Sequence, residues 1–156
     1  MMKTLLKCFT CMILLMVMHV NASAVKIYRG NSRYSGNIMY TWDGRHLYQG
    51  NTTYSCSILL TYDGKYVYRG STTYSGNVLY SCDGRYIYKG RSFYGGDIVA
   101  SYNNKYLYRS KSSYAGNILY TVYQNRVYLG NSTYSENIIL TMDGSVPVPI
   151  LWTILY

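Results

Sequence analysis

The sequence predicts an all-β fold made of tandem β-hairpins, and three observations carry this prediction. The 156 residues include 22 Tyr and 14 Gly but only 2 Pro. Residues 26–145 repeat with a 20-residue period, and most copies place an Asp-Gly pair between two β-rich segments. Because units of this length cannot bury an apolar face alone, the period predicts a solenoid, a propeller or a ring of like units.

The overall composition excludes several other classes of protein. An apolar fraction of 49% argues against wholesale disorder. A charged fraction of 13%, with Glu136 as the one glutamate, argues against charged surface helices and coiled coils. The chain is therefore expected to be a Tyr-rich, Gly-rich, basic β protein.

The first 24 residues are predicted to be a secretory signal peptide. Lys3 and Lys7 supply a basic n-region, residues 12–18 supply an apolar h-region, and residues 22–24 read Ala-Ser-Ala, which fits a cleavage site. The apolar run of about 11 residues is shorter than the roughly 20 that a membrane-spanning helix needs. We therefore expect a mature chain that begins at Val25, has no transmembrane helix, and is secreted, periplasmic or at the cell surface.

Residues 25–156 are predicted to form one β-hairpin repeat domain, with six gapless copies over residues 26–145. Two tyrosine columns are filled in every copy, which indicates a shared structural environment, and the first is expected to be packed between repeats. The first column is Tyr28, Tyr48, Tyr68, Tyr88, Tyr108 and Tyr128, and the second is Tyr34, Tyr54, Tyr74, Tyr94, Tyr114 and Tyr134.

The segment 146–156, with the sequence VPVPILWTILY, breaks the repeat pattern. It is expected to be a C-terminal cap, a closing strand or a degenerate seventh unit. Its two prolines argue against an interior strand before about Ile150.

The hairpin turns are expected at Asp-Gly pairs, because these residues tolerate positive φ in a two-residue loop. The pairs are Asp43-Gly44, Asp63-Gly64, Asp83-Gly84 and Asp143-Gly144, and Asn103-Asn104 takes the same place in the fourth copy. With the third pair as the loop, Tyr80 is expected opposite Ile87 and on the same face of the hairpin. The fifth copy has Tyr123, Gln124 and Asn125 around this position, which is the poorest turn chemistry among the copies.

The motif from Tyr68 to Tyr88, YRGSTTYSGNVLYSCDGRYIY, resembles the bacterial β-flower proteins with four-fold beta flower domains. The resemblance covers about 120 residues and implies a shallow ring or barrel-like flower of hairpins, with no settled biochemical function attached. A short solenoid is the other arrangement considered. Cell-wall-binding repeats are also aromatic-rich hairpins of about 20 residues, but they favour Trp pairs, whereas this chain has only Trp42 and Trp152.

Few residues after the predicted signal peptide suit catalysis or metal binding. The one histidine there, His46, occupies a position that other copies fill with Tyr, Lys or Arg. Four of the five Asp lie in predicted turns, and the turn itself accounts for them. Cys56 and Cys82 are offset in the repeat frame by about 20 Å along a strand, which predicts no intrachain disulfide. We therefore expect no enzyme activity, no metal and no cofactor.

Basic residues recur beside the first tyrosine column and just after the turns. The candidate surface-binding row is Arg29, Arg69, Lys89 and Arg109, and the second row is Arg45, Lys65, Arg85 and Lys105. Aligned cations beside aromatic rings suit anionic polysaccharide, lipid head groups or sugar stacking. The alternative is that these cations keep the strand edges soluble and unpaired.

The sequence therefore predicts a secreted, non-enzymatic binding module for an anionic or glycan-rich envelope or host surface. The expected partners are an anionic glycan, a lipid head group or a cell-envelope surface. Nucleic acid is not expected, because an exported chain meets little of it. The alternative is a structural, self-assembling extracellular protein that forms homo-oligomers through exposed strand edges and tyrosine surfaces.

Overall fold

The computed structural model describes residues 23–156 and shows an antiparallel sheet closed into a barrel. The signal-peptide features predicted within residues 1–22 lie outside the described residues. In the described part of the chain, the strands are β1 (Val25–Arg29), β2 (Ile38–Trp42), β3 (His46–Gln49), β4 (Ile58–Tyr62), β5 (Tyr66–Arg69), β6 (Val78–Cys82), β7 (Tyr86–Lys89), β8 (Ile98–Tyr102), β9 (Tyr106–Arg109), β10 (Ile118–Tyr123), β11 (Arg126–Leu129) and β12 (Ile138–Met142). One α-helix, α1 (Val148–Leu155), follows β12.

The strands are joined alternately by tight hairpin turns and by longer loops. Each longer loop contains a short 3₁₀ turn, at Ser35–Asn37, Ser55–Ser57, Ser75–Asn77, Gly95–Asp97, Ala115–Asn117 and Ser135–Asn137. We call the end of the barrel with the hairpin turns the turn mouth, and the end where the odd-numbered strands run into the longer loops the loop mouth.

The barrel closes because β1 pairs with β12 as if both belonged to one hairpin. The Asp143 N–H donates to the Lys26 carbonyl at 3.2 Å, and the Lys26 N–H donates to Asp143 Oδ1 at 2.6 Å. Asp43 and His46 make the same two contacts, at 3.2 and 2.6 Å, across a covalent turn. The predicted ring of hairpins is confirmed, the solenoid is excluded, and the closed sheet has no free edge.

The strands of each hairpin pair two residues out of the predicted register. Tyr80 lies opposite Lys89 instead of Ile87, and Ile87 lies opposite Cys82. Tyr80 and Ile87 nevertheless share the inward face, as predicted, because a displacement of two residues preserves the alternation of side chains.

The displaced register follows from the places of Asp and Gly in the turn. The Asp83 N–H donates to the Tyr86 carbonyl at 3.3 Å, so Asp83 still belongs to the strand ladder. The two loop residues are therefore Gly84, with φ of +94°, and Arg85, which is the glycine placement of a type II′ turn. The Asp83 carboxylate also accepts the N–H groups of Arg85 and Tyr86 at 2.9 and 2.7 Å. These bonds explain why Asp recurs before each turn glycine.

The fifth hairpin has the same register and the same two loop positions, but different residues fill them. Gln124 and Asn125 have φ of +48° and +59°, and Tyr123 lies opposite Arg126. Two consecutive positive φ values are the pattern of a type I′ turn, in which Asn is favoured. The turn chemistry that the sequence ranks poorest therefore still forms a two-residue hairpin loop.

The lumen of the barrel is lined by one aliphatic residue from each repeat. This lumen column is Ile27, Leu47, Val67, Ile87, Leu107 and Val127, and each member is at most 1% exposed. The column clusters with Ile150, Leu151 and Trp152 of α1, which are also buried. The column and the helix together form the main core. Full burial of each aliphatic side chain in this core contributes about 1.5–3 kcal/mol to stability.

The C-terminal segment forms this lumen helix, so of the three expected alternatives it is neither a closing strand nor a seventh hairpin. Pro147 is the N-cap and Pro149 lies in the first turn, where the missing proline N–H is not needed. The helix begins at the turn mouth, where Pro147 lies beside Arg45, and ends near the loop mouth, where Tyr120 Oη donates to the Leu155 carbonyl at 3.2 Å. Within residues 23–156, no helix is both long and apolar enough to cross a membrane.

Leu107→Ala is expected to lower the free energy of unfolding by about 2–5 kcal/mol, because it leaves a cavity in the lumen. Leu107 is 1% exposed, whereas Leu129 is 57% exposed at the loop mouth. The matched variant Leu129→Ala should change the free energy of unfolding by less than about 0.5 kcal/mol. Urea denaturation measures both values, and equal losses would contradict the placement of the lumen column.

Gly84→Ala is expected to destabilise the protein by about 1–2 kcal/mol, because positive φ is unfavourable for a residue with a Cβ. Gly95→Ala is the control, since φ at Gly95 is not positive and an added Cβ there meets no atom within 4 Å. The control should be neutral or slightly stabilising. Thermal denaturation compares the two variants, and the same shift in Tm for both would show that Gly84 is not held in the turn conformation described.

Candidate functional site

The first tyrosine column lies on the outer face of the barrel and is buried, with exposures of 4–8%. In three hairpins the hydroxyl of this tyrosine donates to the turn carboxylate. The pairs are Tyr48 with Asp43 at 2.7 Å, Tyr68 with Asp63 at 2.8 Å and Tyr88 with Asp83 at 2.6 Å. In the fourth hairpin Asn103 replaces the aspartate, and its Nδ2 donates to Tyr108 Oη at 3.1 Å. These contacts tie each turn to the strand that follows it.

The tyrosine–aspartate contacts change the pKa of both partners. Burial alone would raise the pKa of Asp43, Asp63 and Asp83, but hydrogen bonds from backbone N–H groups and from the tyrosine hydroxyls outweigh it and lower each pKa. Burial and the neighbouring carboxylate raise the pKa of Tyr48 to about 12. The hydrogen bond to Asp83, followed by burial, raises the pKa of Tyr88 to about 12. These turn carboxylates are thus ionised and engaged within the fold at neutral pH.

The candidate surface-binding residues Arg29, Arg69, Lys89 and Arg109 lie exposed around the loop mouth. Each is the last residue of an odd-numbered strand. Gln49 and Leu129 occupy the two remaining positions of the ring. We call this ring of six residues the basic mouth.

The cations of the basic mouth have no carboxylate partner in the described chain. Residues 23–156 include 13 of the 15 Lys and Arg residues and all 6 Asp and Glu. Among these residues, the one contact within 4.0 Å between a basic and an acidic side chain is His46 with Asp43, at 3.3 Å. The positive charge at the loop mouth is therefore not neutralised by the fold.

A cavity of about 400 Å³ lies at the loop mouth between two neighbouring positions of the basic mouth. It is lined by Arg29, Gly36, Asn37, Ile38, Met39, Tyr40 and Gln49. The guanidinium of Arg29 and the side-chain amides of Asn37 and Gln49 give this cavity hydrogen-bond donors at its wall.

The second basic row lies at the turn mouth, where three of its four cations contact aromatic rings. Lys65 Nζ lies 5.4 Å from the Tyr66 ring centroid and 4.8 Å from that of Phe93. Arg85 and Lys105 lie 5.2 and 5.1 Å from the rings of the tyrosines that follow them. Because these cations already have aromatic partners, the turn mouth is the weaker candidate for an anionic ligand.

The second tyrosine column is exposed on the longer loops. Its six members, Tyr34, Tyr54, Tyr74, Tyr94, Tyr114 and Tyr134, are 70–76% exposed. The structure therefore separates the two columns that the sequence treats alike, since the first packs against the strands and the second faces solvent.

The remaining reactive side chains do not converge on a cleft. Cys56 is exposed, Cys82 is buried, and both are free thiols. Burial raises the pKa of Cys82 to about 12, which keeps the thiol protonated at neutral pH. His46 contacts the turn residue Asp43. Residues 23–156 contain no group of three His, Cys, Asp or Glu side chains placed to hold a metal.

Replacing the three turn aspartates together, as Asp43→Asn, Asp63→Asn and Asp83→Asn, should flatten the acid dependence of stability. A carboxyl whose pKa is lowered by folding stabilises above its unfolded pKa of about 3.9 and loses that contribution as the pH falls through the folded value. Denaturation by urea at several pH values between about 2.5 and 5 measures the slope. The reverse variant Asn103→Asp should steepen it, and identical slopes in all proteins would contradict the role of the turn carboxylates.

Comparison with known families agrees with the closed ring. A family model described as "6-fold beta flower protein" matches residues 27–151. The resemblance to β-flower proteins is thus confirmed, with six-fold in place of four-fold symmetry, because each of the six repeats contributes two strands to one ring. Among curated proteins and solved structures, no match to the chain is found. The chain belongs to the 6-fold beta flower protein family.

Proposed function

We propose that this β-flower repeat protein is a secreted, non-enzymatic binding module that recognises an anionic or glycan-rich envelope or host surface. The observation that carries the proposal is the basic mouth, where Arg29, Arg69, Lys89 and Arg109 have no carboxylate partner within the described residues. An anionic glycan or a layer of lipid head groups would supply the missing negative charge.

The ring arrangement favours an extended anionic ligand over a single small anion. Four cations around one rim add their fields over the whole mouth, so a polymer or a surface can neutralise several of them together. The described chain carries 13 Lys and Arg against 6 Asp and Glu, so its net charge supports the same partner. Charges that are further apart than about 8–10 Å are screened at physiological salt, which makes close contact with the rim necessary.

A catalytic role is less well supported than binding. The turn aspartates are occupied by backbone N–H groups and tyrosine hydroxyls, and His46 contacts one of these aspartates. General acid–base catalysis needs a titrating group that is free to exchange a proton with a substrate. Binding through the exposed cations needs no such group.

Self-assembly into a structural extracellular material is the second candidate function, and the exposed tyrosine column favours it. The closed sheet removes the strand edges by which open repeat arrays add further copies. Two copies that met at their loop mouths would also bring like charges together. Assembly would therefore have to use the tyrosine surface of the loops.

The double variant Arg69→Gln with Arg109→Gln is expected to weaken binding to heparin and to vesicles that contain phosphatidylglycerol. At about 1 kcal/mol for each cation near an anionic surface, the loss is about thirty-fold in affinity at constant salt. Binding is measured by titration of the full chain at low and physiological salt, with circular dichroism as the check of folding.

The matched control is Arg45→Gln with Arg85→Gln, which removes the same charge at the turn mouth. Its loss of affinity should stay below about three-fold, because those residues lie at the opposite end of the barrel. Equal losses for the two double variants would reduce the interaction to net charge and would rule out the basic mouth as a directed site.

A further inference from the structure

Packing within the chain does not explain why tyrosine fills the same exposed loop position in all six copies. They are 70–76% exposed, so their rings bury little surface within the chain. The preceding position changes freely between copies, as Arg33, Thr53, Thr73, Phe93, Ser113 and Thr133. A bulky aromatic residue that recurs in every copy at an exposed position is a feature of recognition surfaces.

The loop backbone does not require tyrosine at this position. The N–H of each tyrosine donates to the hydroxyl of the Ser or Thr two residues earlier, at 3.0–3.2 Å. Its carbonyl accepts the N–H three residues later, at 2.9–3.0 Å. Both contacts are made by main-chain atoms of the tyrosine and would form with any ordinary residue there.

These bonds hold the six tyrosines in one conformation. Their φ values lie between −66° and −80°, and their ψ values lie between 134° and 143°. In four copies the ring rests against a glycine two residues later, and a Cβ at that glycine would lie only 2.7–2.9 Å from the tyrosine Cε1. The four glycines are Gly36, Gly76, Gly96 and Gly116. In these four copies the glycine contact restricts the ring before any ligand arrives, which lowers the entropy cost of binding.

We propose that this tyrosine ring, Tyr34, Tyr54, Tyr74, Tyr94, Tyr114 and Tyr134, is a second binding site that stacks on the sugar rings of a neutral pyranose polysaccharide. It adjoins the basic mouth, since the Tyr34 ring lies against Gly36, which lines the same cavity as Arg29, and it rests on the proposed function only in treating the protein as a binding module.

The chemistry around each tyrosine points to a neutral sugar. The residues that follow the tyrosines are Ser, Gly or Ala, and the preceding residues are uncharged in five of the six copies. The exception, Arg33, donates to the Met142 carbonyl at 3.0 Å. A pyranose offers an apolar C–H face to an aromatic ring and a rim of hydroxyls to the neighbouring Ser, Thr and Asn side chains. Single-stranded nucleic acid would instead require cations that alternate with the stacking rings.

The ring arrangement predicts multivalent binding to a polymer. One exposed tyrosine offers a weak contact, but six on one rigid barrel can engage several sugars of a chain or several chains of an insoluble surface. The second and later contacts then form at a high effective concentration, so avidity exceeds the affinity of any one site. Short oligosaccharides should consequently bind much more weakly than the polymer.

The test compares wild type with the triple variant Tyr34→Ala, Tyr74→Ala and Tyr114→Ala, using insoluble chitin and cellulose as neutral probes and heparin as the anionic probe. The triple variant should lose about tenfold or more of its affinity for the neutral polymer, with an unchanged Tm. The corresponding Tyr→Phe variant should retain binding, because stacking uses the ring and not the hydroxyl. The matched control Thr53→Ala, Thr73→Ala and Thr133→Ala changes exposed neighbours and should retain it as well.

The outcomes separate this site from the basic mouth. Binding to the neutral polymer should persist in high salt and in Arg69→Gln with Arg109→Gln, while binding to heparin falls. The proposal is overturned if wild type binds neither neutral polymer, if the triple Tyr→Ala variant binds as well as wild type, or if single-stranded DNA is preferred. It is equally overturned if wild type sediments as an oligomer that the triple variant dissociates, since the tyrosines then join copies of this chain.

Discussion

The pairing of β1 with β12 is the constraint on which the rest of the structure depends. A 20-residue hairpin unit has two unsatisfied edges and one apolar face, and neither can be satisfied within a single copy. Closure satisfies the backbone of every strand and turns the apolar face of every unit toward one lumen. Asp143 and Lys26 reproduce the contacts of a covalent turn, so the closing pair has the same hydrogen bonds as a hairpin of the ring.

Closure also converts sequence columns into rings with distinct chemistry. The lumen column becomes the core, the first tyrosine column becomes a layer on the outer face that is tied to the turns, and the row of Arg29, Arg69, Lys89 and Arg109 becomes a rim. A substitution in one copy therefore changes one sixth of a ring, so individual copies can diverge while the surface keeps its overall character. Gln49 and Leu129 are two such departures within the basic mouth.

The repeat period and the hairpins could be predicted from the sequence, because short-range chemistry determines them. The register could not, because the carboxylate of Asp83 replaces a backbone acceptor and moves the loop forward to Gly84 and Arg85. That the first tyrosine column is buried and the second is exposed could not be predicted either, because repetition alone does not distinguish burial from exposure. A local signal was present, because the second column precedes glycine by two residues in four copies.

The helix in the lumen links the number of repeats to the C-terminal segment. A barrel of twelve short strands encloses more space than its own inward side chains can fill, and α1 occupies that space with Ile150, Leu151 and Trp152. Gain or loss of one 20-residue unit would change the circumference and leave the helix either loose or too large for its site. The number of repeats is thus expected to evolve together with the lumen helix α1. A change in the number of units without a matching change in the C-terminal segment would be selected against.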